Sequence, residues 1–152
     1  MAYKYKTKPF EHQRQALQSG GLKKVFAYLM EMGTGKTKVT IDDASCLYQQ
    51  NKINLLIVIA PNSVYQNWRE EINVHCPCET NIFMYKIDKN FKHVDNKMNI
   101  LLMNVEAFSH KSGVTFLESI LKFFGKKTMM VVDESTTIKN RTAKRTKSLI
   151  RL

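Results

Sequence analysis

Cysteine is too sparse in this chain to build a framework. Cys46, Cys76 and Cys78 are an odd number without a second CxC or CxxC pair, which supports neither a disulfide scaffold nor a zinc site. His75 beside Cys76 and Cys78 supplies a ligand type without the spacing, so the three thiols are expected to be reduced and structural. Long hydrophobic runs are also missing. No stretch approaches the ~20 apolar residues of a membrane span, and the lysine-bearing start from Met1 to Lys8 has no apolar core of a secretion signal. A cytosolic location without membrane contact is therefore expected. Internal repeats and low-complexity linkers are absent as well.

Acidic residues are the other shortage: 13 Asp and Glu face 24 Lys and Arg, for a net charge of +11 over 152 residues. The imbalance is densest at the end. Lys139, Arg141, Lys144, Arg145, Lys147 and Arg151 follow one another with no carboxylate between Lys139 and Leu152, on what reads as one helix. Such a face attracts polyphosphates, of which nucleic acid is the usual cellular one. Contact would be with the backbone, since nothing reads as a base-recognition helix. The bland alternative is a solvated helix face, or charge balanced by a partner. A length of 152 residues and 43% hydrophobic content suit one soluble domain with a real core.

The residues that speak most clearly of chemistry are Glu31-Met32-Gly33-Thr34-Gly35-Lys36-Thr37. An apolar run, Val25 to Met30, leads into them and a helix-forming run follows, which predicts a phosphate-gripping loop between a strand and a helix. Gly33 and Gly35 let the backbone turn tightly and aim N–H groups at phosphate. Lys36 adds charge at the β/γ oxygens, and Thr37 offers a hydroxyl to Mg²⁺. The match is to the short GxGKT core, because Met30 stands where the longer pattern has its first glycine.

The second half of such a site is expected downstream, and Thr128 to Val132 is an apolar run ending in Asp133-Glu134. Open α/β sheets place ligands at the carboxyl ends of their strands. Asp133 would share Mg²⁺ with Thr37, and Glu134 would orient or deprotonate an attacking water. Catalytic roles thus fall to Lys36, Asp133 and Glu134.

Along the chain, helices are expected at Phe10 to Ser19, Lys36 to Gln50, Pro61 through Val74 and around Thr115 to Phe124. Asn62 is a plausible cap and Trp68 lies on the inner face of its helix. Strands are expected at Val25 to Met30, Leu55 to Ala60, Asn81 to Tyr85, Ile100 to Met103 and Met129 to Val132. Short apolar strands alternating with helices predict an α/β domain, a mostly parallel sheet covered by helices on both faces.

Nearly the whole chain then resembles the first RecA-like lobe of a superfamily 2 helicase or translocase, closest to the Swi/Snf branch as found in phage proteins. Glu31 to Thr37 is similar to that family's EMGxGKT loop. Ile57 to Glu70 is similar to its (I/V)xAPxSxxxNWxxE segment, and Asn104-Val105-Glu106 to its xYE element. Asp133-Glu134-Ser135-Thr136 stands in the place of Asp-Glu-Ala-His, followed by Ile138-Lys139-Asn140 as xIKN.

The resemblance implies ATP and Mg²⁺ as ligands, bound at Gly33, Thr34, Gly35, Lys36 and Thr37. Gln13, in Phe10-Glu11-His12-Gln13, would read the adenine edge with Phe10 as a stacking neighbour. The turn Pro61, Asn62, Ser63 would touch the DNA backbone, and Asn104 would face nucleic acid together with the basic tail. Three departures stand out: Met30 for the Asp that often precedes the Glu-Met pair, Thr136 for the histidine, and an end at Leu152, before the family's Thr-Gly-Thr-Pro segment and second lobe.

Residues 1–152 are thus expected to form one ATP-binding lobe that lacks the second helicase lobe. The lobe would turn over weakly or not at all until a second one is supplied in trans or by a longer chain, and if phage-encoded it would work in the bacterial host cytoplasm. The alternative is a stand-alone DNA- or motor-binding module for which ATP is a structural ligand.

Overall fold

The computed structural model describes residues 3–21, 23, 25–31 and 33–133. The order is α1 (Glu11–Gly20), α2 (Lys36–Gln49), β1 (Leu55–Ala60), α3 (Tyr65–His75), β2 (Thr80–Met84), β3 (Met98–Asn104), a 3₁₀ segment (Val105–Ser109), α4 (Lys111–Phe124) and β4 (Thr128–Val132). The four strands form one parallel sheet in the order β2-β3-β1-β4.

The six apolar residues of β1 are buried without exception, as a strand must be when it is flanked on both edges and covered on both faces. Its alternation sorts the core into two layers. Leu56, Val58 and Ala60 pack with Ile41 and Ala44 of α2 and with Trp68 and Ile72 of α3. Leu55, Ile57 and Ile59 pack with Phe108 of the 3₁₀ segment and with Leu117 and Ile120 of α4. Helices therefore cover both faces, as expected. No helix among the described residues is long and apolar enough to cross a membrane.

The 3₁₀ segment, absent from the sequence reading, puts Phe108 into this second layer, and α4 begins four residues earlier than the sequence suggests, at Lys111. Two expectations are overturned. The run 25–30 is not a strand: it is not a member of the sheet, and Val25 and Leu29 are 91% and 95% exposed. An apolar run becomes a strand only where a neighbouring edge completes its hydrogen bonds, and among the described residues β4 pairs with β1 alone. The segment is tied down by side chains instead, with the Tyr28 hydroxyl donating to Asp43 Oδ2 at 3.1 Å.

Asn62, in turn, does not cap α3. The helix starts three residues later, with Val64 at the cap position and its N–H bonded to the Pro61 carbonyl. The Asn62 side chain is engaged with Asn104, a long-range partner that outcompetes the local one.

Candidate functional site

The loop before α2 has the backbone its glycines permit. Gly33 and Gly35 sit at φ of 77° and 81°, in the left-handed region that side chains with a Cβ rarely adopt. Gly35 is also crowded: a Cβ there would lie 2.3 Å from Gln13 Nε2. Thr34 Oγ1 donates to the Glu31 carbonyl at 2.7 Å. The Lys36 ammonium folds back on the same loop, donating to the carbonyls of Met30 at 2.9 Å and Glu31 at 3.0 Å.

Gln13 reaches this loop from α1. It is 4% exposed, donates Nε2 to the Thr34 carbonyl at 3.1 Å and accepts the Phe10 N–H at Oε1. His12 Nε2 makes a second contact with the same Thr34 oxygen at 3.0 Å. Phe10 itself is exposed, with its ring stacked on His12, and borders a cavity of about 430 Å³ shared with Tyr5 and Arg14. The structure thus joins Gln13 to the loop, a contact that sequence separation hides.

A buried polar layer supports α2 from below. Lys38 and Asp42 pair at 2.6 Å with both side chains buried, and Tyr3 donates its hydroxyl to Asp42 at 2.8 Å. Burial, then the Asp42 carboxylate, push the Tyr3 phenol far above its ordinary pKa, and burial followed by Asp43 does the same to Tyr28. Both phenols therefore remain hydrogen-bond donors at any physiological pH. None of these three contacts carries a sequence signal beyond charge at i,i+4 for Lys38 and Asp42.

At the carboxyl edge of the sheet a second group assembles. Parallel register pairs Ala60 with Asn104, so the turn after β1 and the end of β3 lie side by side, and Asn104 Nδ2 donates to Asn62 Oδ1 at 3.0 Å. Pro61 and Ser63 flank that pair. One strand over, Asp133 follows β4. Its N–H bonds the Ile59 carbonyl at 2.8 Å, and its Oδ2 accepts the indole N–H of Trp68 at 2.8 Å. Trp68 is core, 2% exposed, yet its polar edge fixes the orientation of the carboxylate. The helix bearing Trp68 packs against α2, which the phosphate loop initiates.

The sequence candidates Glu134, Lys139, Arg141, Lys144, Arg145 and Lys147 lie outside the described residues. The oxygen donors Thr37 and Asp133 suit a hard cation that keeps part of its water shell. Among the described residues no cluster of three or more His, Cys, Asp or Glu side chains could hold a metal ion.

Residues 27–152 match the family model of the SNF2-related domain. The chain belongs to this family. Among solved structures, the SNF2-related lobe is similar to a Sulfolobus solfataricus SWI2/SNF2 ATPase core in complex with dsDNA, with a TM-score of 0.73 and 22% sequence identity. The alignment covers 100% of this chain and 31% of that one, so the SNF2-related lobe spans about a third of that relative and shares the fold of the corresponding part. No curated protein matches the chain. Family and fold agree with the resemblance read from the motifs.

Proposed function

We propose that residues 1–152 are the MgATP-binding lobe of a DNA-dependent ATPase of helicase or translocase type, which acquires full turnover when a second lobe is supplied by a longer chain or in trans. The observation that carries this reading is the loop before α2, with two left-handed glycines, Lys36 turned into it and Gln13 braced against it. The backbone N–H groups of residues 33–37 and the Lys36 ammonium would hold the phosphates, and the Thr37 hydroxyl and Asp133 carboxylate would hold Mg²⁺. When bound, the ion neutralises charge on the β- and γ-phosphoryl oxygens.

Lys36, which donates to the Met30 and Glu31 carbonyls, would exchange these for phosphate oxygens. Trp68 holds Asp133 in one orientation, and Glu134 orients the attacking water. Gln13 and Phe10 would read and stack an adenine ring, the Gln13 amide exchanging for it a bond it now makes to Thr34 or Phe10. The Asn62 and Asn104 amides and the Ser63 hydroxyl, beside Pro61, would donate N–H and O–H groups to the phosphates of a DNA backbone, and Lys139, Arg141, Lys144, Arg145 and Lys147 would add charge. The solved SNF2 relative is in complex with dsDNA, which supports DNA as the partner.

The test is steady-state ATP hydrolysis by the purified chain with and without duplex DNA, beside Glu134→Gln. Turnover is expected to be slow, because an arginine from a second lobe is worth about 10³ to 10⁵ in rate. It is expected to vanish in Glu134→Gln and to rise when the second lobe is added. Turnover indifferent to Glu134 would refute the assignment.

A further inference from the structure

Seven of the chain's rings gather at one place that the ATPase reading leaves unused. Phe83 at the end of β2 contacts Phe91 and Phe116, Tyr85 contacts Phe116, and Phe91, His93, Phe123 and Phe124 continue the cluster across the end of α4. Between the β2–β3 connection and α4 this cluster borders a cavity of about 550 Å³, with Lys86 and Lys89 on its rim. Tyr85, Phe91 and Phe116 are half-buried, so each presents part of its ring to the opening.

The connection that forms one wall is tied down by polar anchors. Asp88 Oδ2 accepts the Met84 N–H at 2.7 Å, and Asn81 donates to the Lys92 carbonyl at 2.7 Å. The fully buried Asn99 accepts the Val94 N–H at 3.0 Å and donates to the Val94 and Lys97 carbonyls. A connection tied at five points, with Lys86 in the left-handed region at φ 68°, is a pre-formed wall. Its volume lies within the range of small-molecule sites and admits one nucleotide.

We propose that this cavity takes an unpaired base of single-stranded DNA, held against the exposed part of the Tyr85 ring between Phe91 and Phe116, with Lys86 and Lys89 on the adjoining phosphates. Aromatic rings interleaved with lysines are the chemistry of strand binding without sequence preference. Lys86 Nζ lies 6.0 Å over the Tyr85 ring and Lys89 is exposed beside it, so an anionic ligand meets two ammonium groups next to the rings, and a duplex keeps its bases stacked and out of reach. Position agrees: β2 neighbours β3, whose carboxyl end carries Asn104, so a strand leaving the Asn62–Asn104 pair could reach Tyr85 across a strand spacing of about 5 Å. The inference rests on the reading of the chain as a nucleic-acid binder, but not on the phosphate loop.

The experiment measures fluorescence anisotropy of a labelled oligothymidylate of about twelve nucleotides and of an abasic strand of equal length. Wild type should bind the thymidylate more tightly. Tyr85→Ala should weaken it about five-fold or more, the effect of losing one base–aromatic stack, and leave the abasic strand unchanged. Lys86→Glu with Lys89→Glu should weaken both strands and flatten their salt dependence. Amide shifts on adding thymidylate should map to residues 85–91 and 116–120. Equal affinity for the two strands, or thymidylate binding untouched by Tyr85→Ala, would overturn the proposal. So would Tyr85-dependent binding of an acidic, tryptophan-bearing peptide without such binding of the strand, which would assign the cavity to a protein partner. Duplex-stimulated ATP hydrolysis, measured on the same Tyr85→Ala protein, should be unchanged, so this inference and the ATPase reading fail separately.

Discussion

Replacing Trp68 by Phe separates the two jobs of this side chain. The indole is buried between β1 and α3 and donates to Asp133 Oδ2 at 2.8 Å. Phenylalanine keeps most of the apolar contact and removes the donor. A hydrogen bond to a charged group contributes about 1.5–3 kcal/mol. Asp133 is half-exposed, so the low end, about 1.5 kcal/mol, applies. The smaller ring adds a cavity cost of about 1 kcal/mol, for a total of about 2.5 kcal/mol.

Urea unfolding followed by far-UV circular dichroism would measure it, with an unchanged m-value as the check that only stability moved. A double-mutant cycle with Asp133→Ala isolates the bond, and a coupling of about 1–1.5 kcal/mol is expected. Coupling below about 0.3 kcal/mol would mean that Trp68 is core and nothing more. MgATP affinity in Trp68→Phe should fall because Asp133 loses its orientation; unchanged affinity would refute the positioning role even if stability dropped.

Other perturbations test other parts. Gly35→Ala forces a Cβ into Gln13 and an L-residue into the left-handed region, so a loss of about 1–2 kcal/mol should appear in urea unfolding together with weakened ATP binding. The thiol pair should leave a pH signature. A hydrogen bond from Cys78, then Ser45 and Lys6, outweighs burial and lowers Cys76 to about 6, while the hydrogen bond to Cys76 and burial raise Cys78. A lowered folded pKa stabilises above the ordinary thiol value and fades as pH falls toward 6; a raised one destabilises above that value. Stability should therefore climb from pH 6 to about 9 and decline beyond it, and a Cys78→Ala variant should lose this shape in urea titrations across that range. Charge reversal at Lys144, Arg145 and Lys147 should lower DNA affinity and reduce the slope of log affinity against log salt by about three; an unaltered slope would make the tail a solvated face.

The legible parts of the fold were those decided by pattern within one segment. Leu55 to Ala60 reads as a buried strand because all six residues are apolar, and the GxGKT core reads as a loop because glycine and lysine have few other reasons to alternate there. What sequence hid depends on partners distant in the chain. Val25 to Met30 has a strand's composition, but pairing is a property of two edges, and composition reports only one. Asn62 looks like a cap until Asn104, 42 residues away, claims its side chain.

The site divides in the same way. Lys36, Thr37 and Asp133 are visible as residue types at motif spacing. Their support is not, because Gln13 meets Thr34 across 21 residues and Trp68 meets Asp133 across 65. Trp68 in particular reads as core, which it is; its second role lies in the one polar atom of its ring. The aromatic cluster around Tyr85 was equally silent, since its rings come from β2, the connection after it and α4, with no periodicity in common.

The central claim is that the loop before α2 binds MgATP, and calorimetric titration of the purified chain with ATP tests it most directly. The account predicts binding that requires Mg²⁺, disappears in Lys36→Ala and weakens in Asp133→Asn, with circular dichroism of both variants unchanged. Affinity that is the same with or without Mg²⁺ and in Lys36→Ala would contradict it.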